Sequence, residues 1–142
     1  MSYPPFVLLS TEDEYRSHFE AVYCRGPIVT FDGIEVRFRK EDFDHCFYEA
    51  DDSFSRKRAE RIDWIKAALL DPTAEKYVGW DNKRKRYDMC RRVAVAQNNY
   101  VVVIVTTKAN KARFITAYVA DTPSRPGRLS TVDLIRRGPK WA

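Results

Sequence analysis

The sequence predicts an α+β fold in which N-terminal helices pack on a roughly four-stranded antiparallel β-sheet. Three observations predict it. Apolar residues recur at helical spacing as far as Asp71-Pro72. Beyond that point come short β-branched and aromatic runs separated by turn residues. One of them, YVVVIVTT, is apolar on both faces and therefore belongs in the middle of a sheet covered on both sides. With 142 residues, 44% hydrophobic and 13% aromatic, the chain can bury one good core and has no room for two ordinary domains.

The elements follow in order. Thr11, with Glu14 three residues on, resembles a capping box that starts a helix carrying Tyr15, Phe19 and Val22 on one stripe and ending before Gly26-Pro27. Residues Ile28 to Arg37 alternate around Asp32-Gly33, a dipeptide suited to positive φ, and read as a small hairpin. Two amphipathic helices are expected over Lys40 to Ala50, with Phe43 and Phe47 one turn apart, and over Ser55 to Leu70, with Ile62, Ile65 and Leu69 on one face. Pro72 stops the second by restricting the residue before it and donating no hydrogen bond. Strands are then expected over Glu75 to Asp81, Arg86 to Asp88, Arg92 to Gln97, Tyr100 to Thr107 and Ala112 to Ala120, with Asn98-Asn99 as a turn. From Asp121 the chain turns to proline, glycine and arginine, which suggests a loop, a short helix near Thr131 to Arg136 and a basic tail.

Charge is polarised along the chain. Residues 1–54 carry 12 acidic against 5 basic side chains, whereas residues 55–142 carry 8 against 20, so a net of −7 precedes one of +12. Such a split suggests an anionic partner for the second part. No run has the length and apolarity of a membrane span, and the first residues lack the basic start and cleavage site of a signal peptide, so a cytoplasmic protein with no membrane partner is expected. Cys24, Cys46 and Cys90 are odd in number and widely spaced, which fits reduced thiols without assigned chemistry.

Several residues are candidates for chemistry. In its helix, His45 lies about 200° around from Phe43 at roughly 100° per residue, so it leaves the core stripe and points to solvent or a cleft. There it is either a surface histidine paired with Glu49 or Asp42, or a group able to give and take a proton near neutrality. His18 falls beside the core stripe of the first helix and reads as a packed structural residue. Two histidines without carboxylates at ligand spacing make no metal site, and no metal or cofactor is expected.

In KRKRYDMCRR, Lys83, Arg84, Lys85, Arg86 and Arg91 surround Tyr87, with Tyr77 and Trp80 upstream. Cations that neutralise phosphates interleaved with rings that stack on bases favour RNA or single strands. Arg58 and Arg61, one helical turn apart, either clamp a phosphate or pair with Glu60, Asp63 or another acid. In the last strand, Phe114, Thr116 and Tyr118 are expected on one face and Arg113, Ile115, Ala117 and Val119 on the other, core-facing side. Thr116 and Tyr118 would then offer hydroxyls to a phosphate or a ribose.

The order of these elements, with FDHCF around His45, RAERIDWIKAALLDP, RYDMCRRVAVAQNNYVVVIV and FITAYVA, resembles the phage-type nucleases of the barnase, EndoU, colicin and RelE-like (BECR) fold. The resemblance covers residues 38–120 as an RNase-like core, with residues 1–37 as an N-terminal helix and hairpin and 121–142 as the tail. It implies a metal-independent endoribonuclease with His45 as general acid or base, Thr116 on the phosphate or ribose, Arg61 and Arg86 stabilising phosphate charge, and Tyr118 assisting. Arg58, Lys83, Arg84, Lys85 and Arg91 would hold the RNA. It also implies the context of a toxin or a phage or mobile-element effector, and an inhibitor or immunity protein as partner. Two other readings use the same residues: a nonenzymatic RNA- or DNA-binding accessory protein of a mobile element, and a module in which the acidic half of one molecule meets the basic half of another.

Overall fold

The computed structural model describes residues 3–49, 51–78, 80–81, 86–87, 92–97 and 100–119, giving for residues 78, 80, 81, 86, 87, 92, 93 and 97 the backbone alone. The expected turn at Asn98-Asn99, the helix near Thr131 to Arg136 and the tail lie outside these residues.

Helix α1 (Glu12–Tyr23) starts where the capping box places it: the Thr11 hydroxyl accepts from the Glu14 amide at 3.2 Å. Tyr15, Phe19 and Tyr23 are buried on its inner face, and Val22 packs partly beside them. The expected hairpin is β1 (Ile28–Val29) and β2 (Glu35–Arg37), antiparallel, with Gly33 at φ 92 in the turn. Most side chains are strained at such a φ; glycine is not.

Helix α2 (Asp42–Cys46) is shorter than the eleven-residue pattern that begins at Lys40. It ends because Phe47 leaves helical geometry and Asp51, Asp52 and Ser53 form a tight turn, with Asp52 at φ 65 and the Ser53 amide donating to Asp51. These residue types compete with a helix by bonding their own backbone. The single helix expected over Ser55 to Leu70 is divided into α3 (Arg56–Ala59) and α4 (Ile62–Leu70). At the break the Glu60 carbonyl accepts from the Val7 amide at 2.8 Å instead of continuing the ladder, and the Trp64 amide turns to the Arg61 carbonyl. Ile62, Ile65 and Leu69 are all buried, as their spacing requires.

The strands are β3 (Glu75–Val78), β4 (Trp80–Asp81), β5 (Arg86–Tyr87), β6 (Arg92–Gln97), β7 (Tyr100–Lys108) and β8 (Lys111–Val119). Strands β3, β6, β7 and β8 make the four-stranded antiparallel block that the sequence pattern suggests. Among the described residues the sheet nevertheless has six strands, in the order β1-β2-β8-β7-β6-β3, because β2 docks parallel to β8 and brings the hairpin into it. Strands β4 and β5 pair with each other in a separate ladder. The sheet curls around α4: the Phe31 amide of the hairpin turn donates to the Leu69 carbonyl, and Lys76 of β3 pairs with Asp32.

The principal core lies between the helices and the sheet, where Phe19, Phe38, Phe43, Phe47 and Phe114 meet Val102 and Ile104. The opposite sheet face buries a second cluster of Tyr77, Ala94, Ala96, Val101 and Val103. A β-bulge corrects the expected faces of β8. Val103 pairs with Thr116 but Ile104 pairs with Phe114, so one extra residue interrupts the alternation. Phe114 therefore joins the helix-side core with Ala117, whereas Ile115 and Tyr118 pack on the second cluster.

Candidate functional site

Strand β2 pairs with β8 only along residues 111–113, and α2 takes over beside the rest of that strand. The Cys46 thiol donates to the Ala117 carbonyl at 3.7 Å, and α3 lies beyond it. Between α3, the turn after α2 and the adjoining ends of β7 and β8 is a cavity of about 520 Å³. Among the described residues it is lined by Glu49, Ser55, Lys57, Arg58, Arg61, Tyr100, Ala117, Tyr118 and Val119. Its volume is in the range of small-ligand sites, roughly 300 to 1,000 Å³.

Three cations line it against one carboxylate, 3 − 1, a net of +2. Arg58 is fixed by its place in α3, which Ser55 caps by accepting from the Arg58 amide. Its Nη1 donates to the carbonyls of Cys46 at 3.0 Å and Tyr48 at 3.4 Å, which closes the C-terminal end of α2 with a positive charge. Arg61 donates one Nη1 bond to the Lys57 carbonyl, and its Nε is buried with no hydrogen-bond partner among the described residues. Its guanidinium lies 4.9 Å from the Phe6 ring centre and 5.2 Å from that of Trp64. Lys57 and Glu49 are exposed side chains, and among the described residues neither is in an ion pair. Burial pushes the Tyr118 phenol up, with the Arg58 guanidinium opposing, so at neutral pH Tyr118 is a hydrogen-bond donor. Such a set is chemically suited to an anion such as phosphate, through charge and forked N–H donors.

Compared with known proteins, the chain matches no family model, no curated protein and no solved structure.

Of the residues singled out in the sequence, the fold brings Arg58, Arg61 and Tyr118 to this one cavity. Thr116 lies on the α2 side, where its hydroxyl touches the Cys46 thiol, and it does not line the cavity. His45 is exposed on α2, next in sequence to the residue whose carbonyl Arg58 holds, and is not among the lining residues. Asp42 does not pair with it: that carboxylate is buried and accepts from the Arg39 amide at 2.9 Å. His18 is half-buried and hydrogen-bonded to Asp63 at 2.8 Å, which also removes Asp63 as a partner for Arg58 or Arg61. Arg86 is placed by its backbone alone, on the separate β4–β5 ladder, and Lys83, Arg84, Lys85 and Arg91 lie outside the described residues. Among the described residues no cluster of histidine, cysteine and acidic side chains is suited to a metal, and no helix is long and apolar enough to cross a membrane.

The sequence pattern missed Lys57, Ser55, Tyr100 and the role of Glu49. Lys57 and Ser55 were legible as parts of SRKR, a cap followed by three cations. Glu49 was not, because only the turn at Asp51-Asp52 brings it to face α3 across the cavity.

Proposed function

We propose that the chain is a metal-independent endoribonuclease that seats RNA phosphates in the cavity between α3 and the end of β8. The observation that carries this reading is the meeting of Lys57, Arg58 and Arg61 with one phenol donor, Tyr118, and one carboxylate, Glu49. The cations stabilise charge on the phosphate oxygens as the ribose 2′-oxygen attacks phosphorus and the bond to the 5′-oxygen breaks. Glu49 accepts the 2′-hydroxyl proton, and His45, exposed on α2, gives one to the departing 5′-oxygen. The products are a 2′,3′-cyclic phosphate and a 5′-hydroxyl, with no co-reactant. DNA lacks the attacking hydroxyl and is not a substrate. The antiparallel block β3-β6-β7-β8 behind the helices supports a BECR-type RNase, and an effector of that kind requires an inhibitor in the cell that makes it.

The test is incubation of purified protein with labelled tRNA and total RNA in EDTA, beside Glu49→Gln and His45→Ala, with analysis of product ends. Cleavage to cyclic phosphate, reduced about 100-fold or more in each variant, is the expected result, the usual contribution of a general acid or base being about 10²–10⁴. The position of His45 outside the cavity lining favours one second reading, a nonenzymatic RNA-binding accessory protein. Salt-sensitive RNA binding with no cleavage by any of the three proteins would establish that reading and overturn the RNase.

A further inference from the structure

Residues 3–10 form an extended strap across α3 and α4. On either side of Phe6 it is fastened by hydrogen bonds: Trp64 Nε1 donates to the Pro4 carbonyl at 2.8 Å, the Val7 amide donates to Glu60 at 2.8 Å, and the Tyr15 hydroxyl donates to the Val7 carbonyl at 2.7 Å. Tyr3 stacks on Trp64 with ring centres 4.0 Å apart, and its hydroxyl accepts from the Tyr100 amide. Phe6 also lies against Trp64, at 5.5 Å and 26°, yet Phe6 remains 47% exposed while Trp64 is only 9% exposed. Single exposed apolar residues are ordinary on protein surfaces. Among the described residues, Phe6 differs from the other large exposed apolar side chains, Leu8, Val29, Phe31 and Leu70, because its neighbour is Arg61, a cation of the cavity. A half-open aromatic ring, in a strap fastened on both sides, thus adjoins Arg61, one of the three cations of the cavity.

We infer that Phe6 is the stacking platform for an unpaired RNA base whose phosphate occupies the cation cavity. The inference rests on the phosphate-binding reading of that cavity and adds its specificity: single-stranded RNA, engaged by one base face and one phosphate. Stacking requires only a π-face, so it selects strands with free bases rather than a particular sequence, and a base paired inside a duplex cannot present its face to the ring. Arg61, packed against the same ring, joins the two halves of the site: its charge faces the phosphate while the ring that holds it receives the base.

The experiment measures fluorescence anisotropy with a short 2′-O-methyl oligoribonucleotide, which cannot be cleaved, an abasic phosphodiester oligomer of equal length, and a duplex of the same sequence. The proteins are the full chain, Phe6→Leu, Phe6→Trp and Lys57→Ala. The expected result is that Phe6→Leu weakens the base-bearing strand about 5- to 100-fold, leaves the abasic oligomer unchanged and is rescued by Phe6→Trp. Lys57→Ala should weaken both oligomers. The inference is overturned, with the phosphate reading intact, if Phe6→Leu binds the base-bearing strand like the parent, or if the duplex binds as tightly as the single strand. Weakening of both oligomers by Phe6→Leu without rescue by Phe6→Trp would also overturn it, because Phe6 would then act only in holding the strap. Failure of the parent to bind either oligomer overturns the phosphate reading and the inference together.

Discussion

Arg58 serves two tasks at one position, and they can be separated. Its Nη1 donates to the Cys46 and Tyr48 carbonyls at the end of α2, while its charge lines the cavity. Arg58→Met is expected to cost about 1–3 kcal/mol in urea unfolding, because two partly buried carbonyls lose their donor. Lys57→Met removes an equal charge from an exposed side chain and is expected to change stability by no more than about 0.5 kcal/mol. Both should weaken RNA binding, so equal melting curves for the two variants would refute the structural role of Arg58. Part of this was legible beforehand: the spacing of Arg58 and Arg61 places them on neighbouring positions, whatever they bind. The separation of His45 from that pair was not, because helical phase tells which way a side chain leaves its helix and says nothing of what stands opposite.

At the scale of elements, local pattern identified most helices and strands, and pairing decided what it could not. The run YVVVIVTT announced a central strand and β7 is one, flanked by β6 and β8. The bulge opposite Val103 and Ile104 left no mark in ARFITAYVA, a sequence that alternates without interruption, since a bulge is a property of two strands together. The break between α3 and α4 is similar, for no proline or glycine lies near Glu60 and Arg61; a carbonyl taken by the strap makes it. Helix α4 carries a further intrusion. The buried Tyr23 hydroxyl donates to the Ile62 carbonyl at 2.5 Å and accepts from the Lys66 amide at 3.0 Å, so a phenol from α1 stands between two groups that would bond each other in a regular helix. Tyr23→Phe is expected to destabilise the fold by about 1–3 kcal/mol, leaving the Ile62 carbonyl and the Lys66 amide to find each other across a gap. Thermal unfolding followed by circular dichroism checks this, and an unchanged midpoint would mean that the helix simply closes.

For the whole molecule, one core joins the acidic first third to the sheet. Phe38, which follows the hairpin, stacks on Phe114 of β8 with centres 4.7 Å apart, and Phe19 of α1 meets Phe38, Phe43 and Phe47 within about 6 Å. The division of the chain at residue 38 into an N-terminal part and an RNase-like core therefore has no counterpart in packing, and unfolding should be a single transition. Its pH dependence follows from what that core buries. Burial pushes the Cys46 thiol up to about 12 from 9.0, with contacts from Ala117, Arg58 and Thr116 opposing, and raises the phenols of Tyr23 and Tyr100 above their usual 10.0. These groups are neutral when protonated, so above pH 9 the unfolded chain releases protons that the folded one retains, and stability falls as pH rises. Their contribution is complete below pH 9 and is lost as pH climbs toward the folded-state value near 12. Urea midpoints should therefore fall steadily between pH 9 and pH 11, with one transition by fluorescence and by circular dichroism at each pH. Cys46 should resist alkylation at pH 8 until the chain is unfolded, as read by mapping the modified cysteines. Rapid labelling of Cys46 in the folded protein, or an alkaline limb with no loss of stability, would show that the helix layer does not seal this core.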